Sequence, residues 1–343
     1  MQEINEEAQQ PGPPAGCHNC SSPETEEGYL TPLCRECRKK LSRYPVLKSV
    51  KLAAAGVGIL FLISLYNFPR YFKAGVTYKK ALNAEASHLY VTEKKLLKQV
   101  LQQFPDNFEA GTHYLIASIN NDDIMEADSL LQQMGGAQDD NQELINKANE
   151  KIEGLQYFRF AEDSFAVSIS KIADTSLAYK QAVEGYSRQH PGDVCAAYVL
   201  GQFAYNSGDY GKADTILSRL VEETPDFRIA KCLLSNVYRQ EKLYEKGLQQ
   251  CNDVLQQNAE SCYALTSAAK ILLKQKHDKE ALEKAMMAYE LEPESYAAQY
   301  TLTLADHFNN RTAERDRLYE KIKARKETDP DVLAELDEIT SGN

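Results

Sequence analysis

Four cysteines near the N-terminus form the clearest chemical motif in this sequence. Cys17 and Cys20 make one C-x-x-C pair, and Cys34 and Cys37 make a second pair after thirteen intervening residues. Each pair presents two thiolates from one turn of chain, and four thiolates complete the tetrahedral shell of a structural zinc site. The segment has almost no apolar core, so a metal would supply its folding energy. We therefore predict Zn²⁺ as a cofactor; two disulfides or free thiols are the alternatives.

The cysteine segment resembles a small zinc ribbon, a class of domain that its metal ion holds together. We assign residues 17–40 to this zinc-ribbon-like module. The residues before it, 1–16, are polar and acidic and include Pro11, Pro13 and Pro14. Such a stretch buries too little apolar surface to order itself, so we predict a disordered acidic tail.

Motifs for catalysis are missing from the sequence. It contains no Gly-rich phosphate loop, no H-E-x-x-H and no G-x-S-x-G. The net charge of −11 and the pI near 5.2 also oppose binding to nucleic acid, because phosphates repel an acidic surface. We therefore expect no enzyme and no nucleic-acid partner.

An uncharged apolar segment follows the cysteine module. Residues 52–68 read LAAAGVGILFLISLYNF, with lysines at positions 48 and 51 just before them. A helix of this length approaches the thickness of a hydrocarbon core when flanking lysines reach toward the interface. We predict a transmembrane helix at 46–70 that contacts membrane lipid; a buried core helix is the alternative. Ala54 and Gly58 form a small-xxx-small pair that would allow a homodimer.

The basic residues around the apolar segment predict its orientation. Those before it are Arg35, Arg38, Lys39, Lys40, Arg43, Lys48 and Lys51. Those after it, over a similar distance, are Arg70, Lys73, Lys79 and Lys80. Cytoplasmic flanks carry the excess of Lys and Arg. We expect a single-pass protein of the bacterial inner membrane, with its N-terminus cytoplasmic and the rest of the chain outside.

A regular period, of about 34 residues as in helical-hairpin repeats, organises the rest of the chain. Pro225 follows Pro191 by one period and precedes Pro293 by two. Small residues recur at the eighth and 20th places of the best-formed repeats, where two antiparallel helices must approach closely. In three consecutive repeats these are Gly201 and Ala213, Ser235 and Gly247, and Ala269 and Ala281. The pattern resembles the tetratricopeptide repeat (TPR) family over roughly 74–329, although the chain has no Trp. This resemblance implies an all-α fold, a TPR α-solenoid of about seven helical hairpins.

The repeat pattern is interrupted once and is imperfect in its first unit. The distance from Pro105 to Pro191 exceeds two periods by the length of segment 142–159. The predicted segments are TPR units at 74–141, an inserted helix at 142–159, further TPR units at 160–329 and a C-terminal tail at 330–343. We interpret the insertion as a spacer; a hinge between two short solenoids is the alternative. The unit 74–107 departs from the pattern, with Lys80 and Glu93 at two of the expected apolar or small places.

The TPR resemblance also implies a binding groove. In that family, the second, fifth, ninth and twelfth places of each first helix line the concave face. On this chain the predicted partner-binding residues are Tyr198, Gln202, Tyr205, Asn236, Arg239, Tyr263, Thr266, Lys270, Tyr300 and His307. Tyrosines act as rigid anchors, and the polar side chains can bond an extended backbone or an acidic side chain. A solvated helix face without a ligand is the alternative.

Four more cysteines lie in the repeats. Cys251 takes a core place, so we expect it to act as a small buried hydrophobe. Cys195, Cys232 and Cys262 complete the set, and four cysteines allow three disulfide pairings among which the sequence does not choose.

Together these features predict a membrane-anchored TPR scaffold that docks protein or peptide partners in its concave groove. The alternative is a regulatory adaptor. In that case the cytoplasmic zinc ribbon recruits an enzyme or protease, while the repeats sense a client in the cell envelope.

Overall fold

The computed structural model describes residues 16–42, 46–134, 141–325 and 336–337. Its chain divides into two compact units, Met1–Arg70 and Tyr71–Asn343. Nearly all of the predicted acidic tail and most of the predicted C-terminal tail lie outside the described residues. Residues 135–140, inside the predicted TPR segment 74–141, lie outside them as well.

The first unit contains a short helix, α1 (Arg35–Leu41), and the beginning of a long one, α2 (Lys48–Ala86). Among the described residues, α2 is the one helix long and apolar enough to cross a membrane. None of its most apolar window is buried by protein. The helix continues past the border expected near residue 70, so the apolar segment and the first helix of repeat 74–107 are one continuous helix.

The second unit is built from helical hairpins, and no strand occurs in its described residues. After α2 come α3 (Tyr90–Gln103), α4 (Phe108–Asn120), α5 (Ile124–Met134), α6 (Gln142–Glu153), α7 (Asp163–Ile169), α8 (Leu177–Gln189), α9 (Val194–Asn206), α10 (Tyr210–Glu223), α11 (Arg228–Gln240), α12 (Tyr244–Gln257), α13 (Cys262–Lys274), α14 (Asp278–Leu291), α15 (Tyr296–Phe308) and α16 (Thr312–Lys323). A short 3₁₀ turn, Gly154–Phe158, follows α6. Successive helices pair into antiparallel hairpins, with α6 inserted between them, which confirms the predicted all-α TPR solenoid.

The repeat period has a local physical basis at both ends of the first helices. Several of these helices begin with a side chain that accepts a hydrogen bond from a backbone N–H of the first turn: Asn107, Asp193, Ser261 and Ser295. Their hairpin turns contain one residue in the left-handed region, with φ between 56° and 77°: His88, Asp122, Gly208, Lys242, Lys276 and Asn310. Neighbouring turn residues in this series are one period apart, except across the inserted segment between Asp122 and Gly208. The left-handed turn conformation therefore recurs with the same period as the helices.

Close helix crossings explain the small residues. A Cβ atom added to Gly247 would lie 2.8 Å from Cδ1 of Ile271 and 3.2 Å from the backbone oxygen of Ser235. A Cβ added to Gly201 would lie 2.6 Å from Cδ2 of Leu217. Both glycines therefore occupy the predicted close approach of the two helices of a hairpin.

The repeats of the second unit do not form an open row, because the first hairpins fold back onto later turns. Glu260 accepts hydrogen bonds from the backbone N–H of Thr92 at 2.7 Å and from its hydroxyl at 2.5 Å. The N–H of Ala259 donates to the carbonyl of His88 at 3.0 Å. Glu260 thereby supplies an acceptor to the first turn of α3, which has no side-chain cap of its own.

A buried ion pair adds to this long-range contact. The guanidinium of Arg228, at the start of α11, lies 2.7 Å from Oδ1 of Asp122 and donates to the carbonyl of Ile119. Asn258 donates to the carbonyl of Asn120 at 3.3 Å. Because these partners belong to repeats that are distant in the sequence, the contacts define the tertiary arrangement rather than the repeat itself.

Candidate functional site

The four N-terminal cysteines come together in the first unit. Their sulfur atoms all lie within 4.8 Å of one another, and the sulfurs of Cys20 and Cys34 are 3.6 Å apart. A disulfide needs about 2.05 Å, whereas sulfurs in a tetrahedral zinc site with 2.3 Å bonds are about 3.8 Å apart. The thiols are free, and their spacing fits a metal better than a pair of disulfides.

The chain around the cysteines is a loop followed by α1, rather than the strands of a ribbon. Arg38 holds the loop, because its Nε is 2.7 Å from Glu26 and its Nη2 donates to the carbonyl of Thr31 at 2.9 Å. Its guanidinium also lies 3.6 Å from the centre of the Tyr29 ring. This packing fixes the loop without an apolar core.

Backbone hydrogen bonds and neighbouring thiols shift the pKa values of these cysteines in opposite directions. Backbone hydrogen bonds, chiefly at Cys34, lower the pKa of Cys17 to about 6. At Cys20 a backbone hydrogen bond to Ser22 opposes the shift, but the neighbouring thiols raise the pKa to about 12. Four thiolates this close repel one another unless a cation lies between them, which is the arrangement that a structural Zn²⁺ site provides.

The other cysteines are dispersed in the repeats. Cys195, Cys232, Cys251 and Cys262 are buried and free. The sulfur of Cys251 lies 3.0 Å from the hydroxyl of Ser235, inside the hairpin crossing, and burial raises its pKa to about 11. These are structural thiols of low reactivity.

One half of the predicted groove forms an open pocket. A cavity of about 180 Å³ is lined by Arg239, Lys270, Leu273, Lys274, Tyr300, Leu304 and Phe308. Three of these residues belong to the predicted site. The pocket therefore combines three cationic side chains with an apolar and aromatic wall.

The cationic side chains of this pocket lie close to tyrosines. Nη2 of Arg239 lies 3.5 Å from the hydroxyl of Tyr205, one repeat earlier. Nε of Arg239 is buried and makes no hydrogen bond within the described part of the chain. Nζ of Lys270 lies 5.1 Å from the centre of the Tyr300 ring, within range of a cation–π interaction.

In the other half of the predicted groove Thr266 is buried and Tyr198 is half-buried, whereas Tyr263 is 54% exposed. Tyr198 packs on Phe227 with ring centres 5.2 Å apart, and burial is the main reason that its pKa is raised. Thr266 is 3% exposed and its hydroxyl donates to the carbonyl of Cys262. Partial burial and then nearby charges, including Asp122 of the α4–α5 turn, raise the pKa of Tyr263.

The remaining predicted residues lie at the margins. Gln202 is exposed and Asn236 is half-buried. The ring of His307 packs edge-on against Phe308 at 5.0 Å, and its Nδ1 lies 3.4 Å from Nη1 of Arg315. The structure thus gathers Tyr205, Arg239, Lys270 and Tyr300 and leaves the others apart from them.

Four pocket residues were not predicted from the sequence: Leu273, Lys274, Leu304 and Phe308. Lys274 and Phe308 are one period apart and take the thirteenth place of successive first helices. Their equal place in the repeat is a signal in the sequence, but the groove positions implied by the resemblance stop at the twelfth place. A period search restricted to charged and aromatic residues would have found them.

No family model matches the sequence, and no curated protein matches it either. Among solved structures, MamA from Desulfovibrio magneticus RS-1 (residues 41 to the end) is 15% identical, covering 52% of this chain and 92% of that one, with a TM-score of 0.37. A tetratricopeptide repeat protein from Parabacteroides merdae is 13% identical, covering 78% and 86%, with a TM-score of 0.41. Yeast Tom70 is 14% identical, covering 74% and 59%, with a TM-score of 0.38. With TM-scores below 0.5, none of these similarities bears on what this chain binds.

Proposed function

We propose that this protein is a membrane-anchored scaffold that docks an extended, acidic segment of a partner protein in the pocket between α11 and α15. The observation that carries the proposal is the lining of that pocket. Arg239, Lys270 and Lys274 concentrate positive charge there, although the chain as a whole has a net charge of −11. An acidic peptide would gain charge-assisted hydrogen bonds at this one place and be repelled elsewhere.

The wall of the pocket supports a peptide rather than a small anion. Leu273, Leu304 and Phe308 line it, and Phe308 is 49% exposed. An apolar side chain next to an acidic one would bury this surface. The well-formed helices on both sides lower the entropic cost of binding, because little has to become ordered.

Crosslinking in membranes followed by affinity purification of the full-length chain tests the proposal. We expect the Arg239→Ala, Lys270→Ala and Lys274→Ala triple variant to lose the captured partner, with a weakening of at least ~30-fold if one hot spot contributes about 2 kcal/mol. The helical circular dichroism should stay near that of the parent. Capture of the same partner in equal amount by the triple variant would place the site elsewhere.

A matched variant controls for the loss of surface charge. Lys246→Ala with Lys279→Ala removes two exposed lysines from second helices, away from the pocket. This double variant should retain the partner. Equal loss in both variants would mean that general electrostatic attraction, rather than the pocket, holds the partner.

We also propose that residues 46–70 anchor the chain in a membrane, with the N-terminus cytoplasmic and the repeats outside. The exposed apolar surface of α2 and the excess of basic residues before it support this topology. Membrane-impermeant thiol labelling checks it. A cysteine placed in the tail after Ile339 should be labelled in intact spheroplasts, and labelling only after lysis would reverse the topology.

The adaptor remains the second candidate, because the four-thiol cluster provides a separate module. If the cluster holds Zn²⁺ and recruits a partner, replacing Cys17, Cys20, Cys34 and Cys37 with Ser should abolish that capture while leaving the pocket partner bound. Unchanged capture on both sides would support the plain scaffold.

A further inference from the structure

A second group of potential metal ligands lies in the second unit, among residues that are not part of the predicted groove. Glu85 lies at the end of α2, Glu93 in the first turn of α3 and His113 in the middle of α4. One potential ligand atom from each lies within 4.8 Å of the others. Metal–ligand bonds of about 2.1 Å place tetrahedral ligands about 3.4 Å apart, so a shift of roughly 1.4 Å at most would close the site.

The burial of Glu93 is not explained by its contacts in this fold. Its side chain is fully buried, at 0% exposure, and neither carboxylate oxygen makes a hydrogen bond to any described residue. A buried carboxylate without partners costs several kcal/mol in general, so such groups are rare. Glu93 also occupies the 20th place of repeat 74–107, where four other repeats carry the small residues Ala127, Ala213, Gly247 and Ala281.

The two neighbours of Glu93 point their ligand atoms into the same space. Nδ1 of His113 lies 2.9 Å from Oε2 of Glu85, yet this nitrogen makes no hydrogen bond of acceptable geometry with the described residues. His113 is 9% exposed and its ring packs edge-on against Tyr78, with centres 5.8 Å apart. The imidazole is therefore held in place by packing.

We propose that Glu85, Glu93 and His113 bind a divalent transition-metal ion such as Zn²⁺, with water completing the coordination. One imidazole and two carboxylates are a donor set that suits Zn²⁺, which takes four ligands from nitrogen, oxygen and sulfur atoms. The ion ties together α2, α3 and α4, the three helices that begin the repeat array.

Lys147 of α6 supports this assignment as an outer partner. Its ammonium pairs with Oε1 of Glu85, which leaves Oε2 directed toward His113. Ligating carboxylates are commonly oriented by such a second contact. With Lys147 at its edge, a site of two carboxylates and one divalent cation carries a net charge of +1, so the cation offsets the charge of both carboxylates.

Metal binding to the full-length chain in detergent tests this proposal, with Zn²⁺ as the probe. Replacing Cys17, Cys20, Cys34 and Cys37 with Ser first removes the N-terminal cluster. We expect this four-Ser chain to bind one Zn²⁺ by mass spectrometry of metal content and calorimetry, and to melt at a higher temperature with Zn²⁺ than with chelator. Absence of stoichiometric Zn²⁺ from the four-Ser chain would overturn the proposal.

Single substitutions in the four-Ser chain then assign the ligands. Glu93→Gln keeps the shape of the side chain and should weaken Zn²⁺ at least about 100-fold, with loss of the thermal shift. His113→Gln, which leaves Glu93 intact, should do the same and serves if the first variant does not fold. Glu143→Gln changes an exposed carboxylate of α6 and should bind as the four-Ser chain does. Equal Zn²⁺ affinity in Glu93→Gln and in this control would show that Glu93 is only a buried acid.

Discussion

At the scale of single residues, the hairpin turns carry a recurring backbone strain. Lys276 has φ of 61°, a region in which the Cβ of an ordinary residue costs about 1–2 kcal/mol. Gly208 takes the equivalent place in an earlier repeat without that cost. The hairpin turn therefore keeps the same backbone conformation in each of these repeats, even where the residue type disfavours a positive φ.

Replacing Lys276 with Gly should consequently stabilise the fold, by up to about 1 kcal/mol after the greater freedom of the unfolded chain is included. Lys284→Gly, inside α14, is the matched control and should destabilise by about 1 kcal/mol. Urea unfolding of both variants measures the difference. Equal destabilisation would mean that the turn of α13–α14 is not under strain.

A buried acid makes the stability of the second unit depend on pH. Asp306 is 1% exposed, and burial raises its pKa to about 6, although Arg311 opposes the shift from 3.2 Å. Between about pH 4 and pH 6 the folded state holds this proton and the unfolded state releases it. Asp306 therefore lowers stability as pH rises through this window.

Asp306→Asn should remove this contribution. The melting temperature of the variant relative to the parent should rise from pH 4 to pH 6 and then stay level. Thermal unfolding at half-unit pH intervals checks this expectation. A constant difference across the window, or a difference that falls with pH, would show that Asp306 remains ionised in the folded state.

At the scale of elements, helix crossings decide which glycines are required. Gly247→Ala would press its new methyl group against Ile271 and the backbone of Ser235. Overpacking of this kind costs about 1–3 kcal/mol, which exceeds the gain of about 1 kcal/mol in helix propensity. We expect a net loss of stability of up to about 2 kcal/mol.

Gly185→Ala is the matching change where no crossing occurs. Gly185 lies inside α8 and a Cβ there would meet nothing within 4 Å. This variant should gain about 0.5–1 kcal/mol. Chemical denaturation of the two variants side by side measures the contrast, and a gain in both would mean that the α11–α12 crossing has room to spare.

At the scale of the whole second unit, the contacts that join distant repeats matter most. Their contribution to stability should depend strongly on a single charged residue, Arg228. Arg228→Ala leaves Asp122 buried against α11 with its partner removed. The expected loss is on the order of 3 kcal/mol, together with faster hydrogen exchange in α3 and α4. Arg219→Ala breaks an exposed pair with Glu223 and should cost less than about 1 kcal/mol.

Removing both charges tests whether the pair itself or the unpaired acid matters. Arg228→Met with Asp122→Asn should recover much of the lost stability, since Asn also tolerates the φ of 61° at position 122. Failure of the double variant to improve on Arg228→Ala would mean that the guanidinium acts mainly through the carbonyl of Ile119.

Much of the architecture follows from local patterns in the sequence. Small residues at the eighth and 20th places predict the hairpins, and the four thiols predict one cluster, because each signal depends on near neighbours along the chain. The apolar segment at 52–68 likewise predicts its helix. The continuation of that helix to Ala86 was not predicted, because its polar C-terminal part was assigned to a separate element.

The tertiary structure alone decided which parts of the surface remain open. Contacts such as Asp122–Arg228 and Thr92–Glu260 join repeats that are distant in the sequence, and no period records them. In the predicted groove Tyr198 and Thr266 are half-buried or buried, whereas the pocket at Arg239 stays open. The sequence marks Glu93 as a departure from the repeat, but only packing of three helices brings it to Glu85 and His113. A periodic sequence specifies how neighbouring helices pair. Side-chain complementarity between distant turns determines which non-neighbouring repeats contact each other.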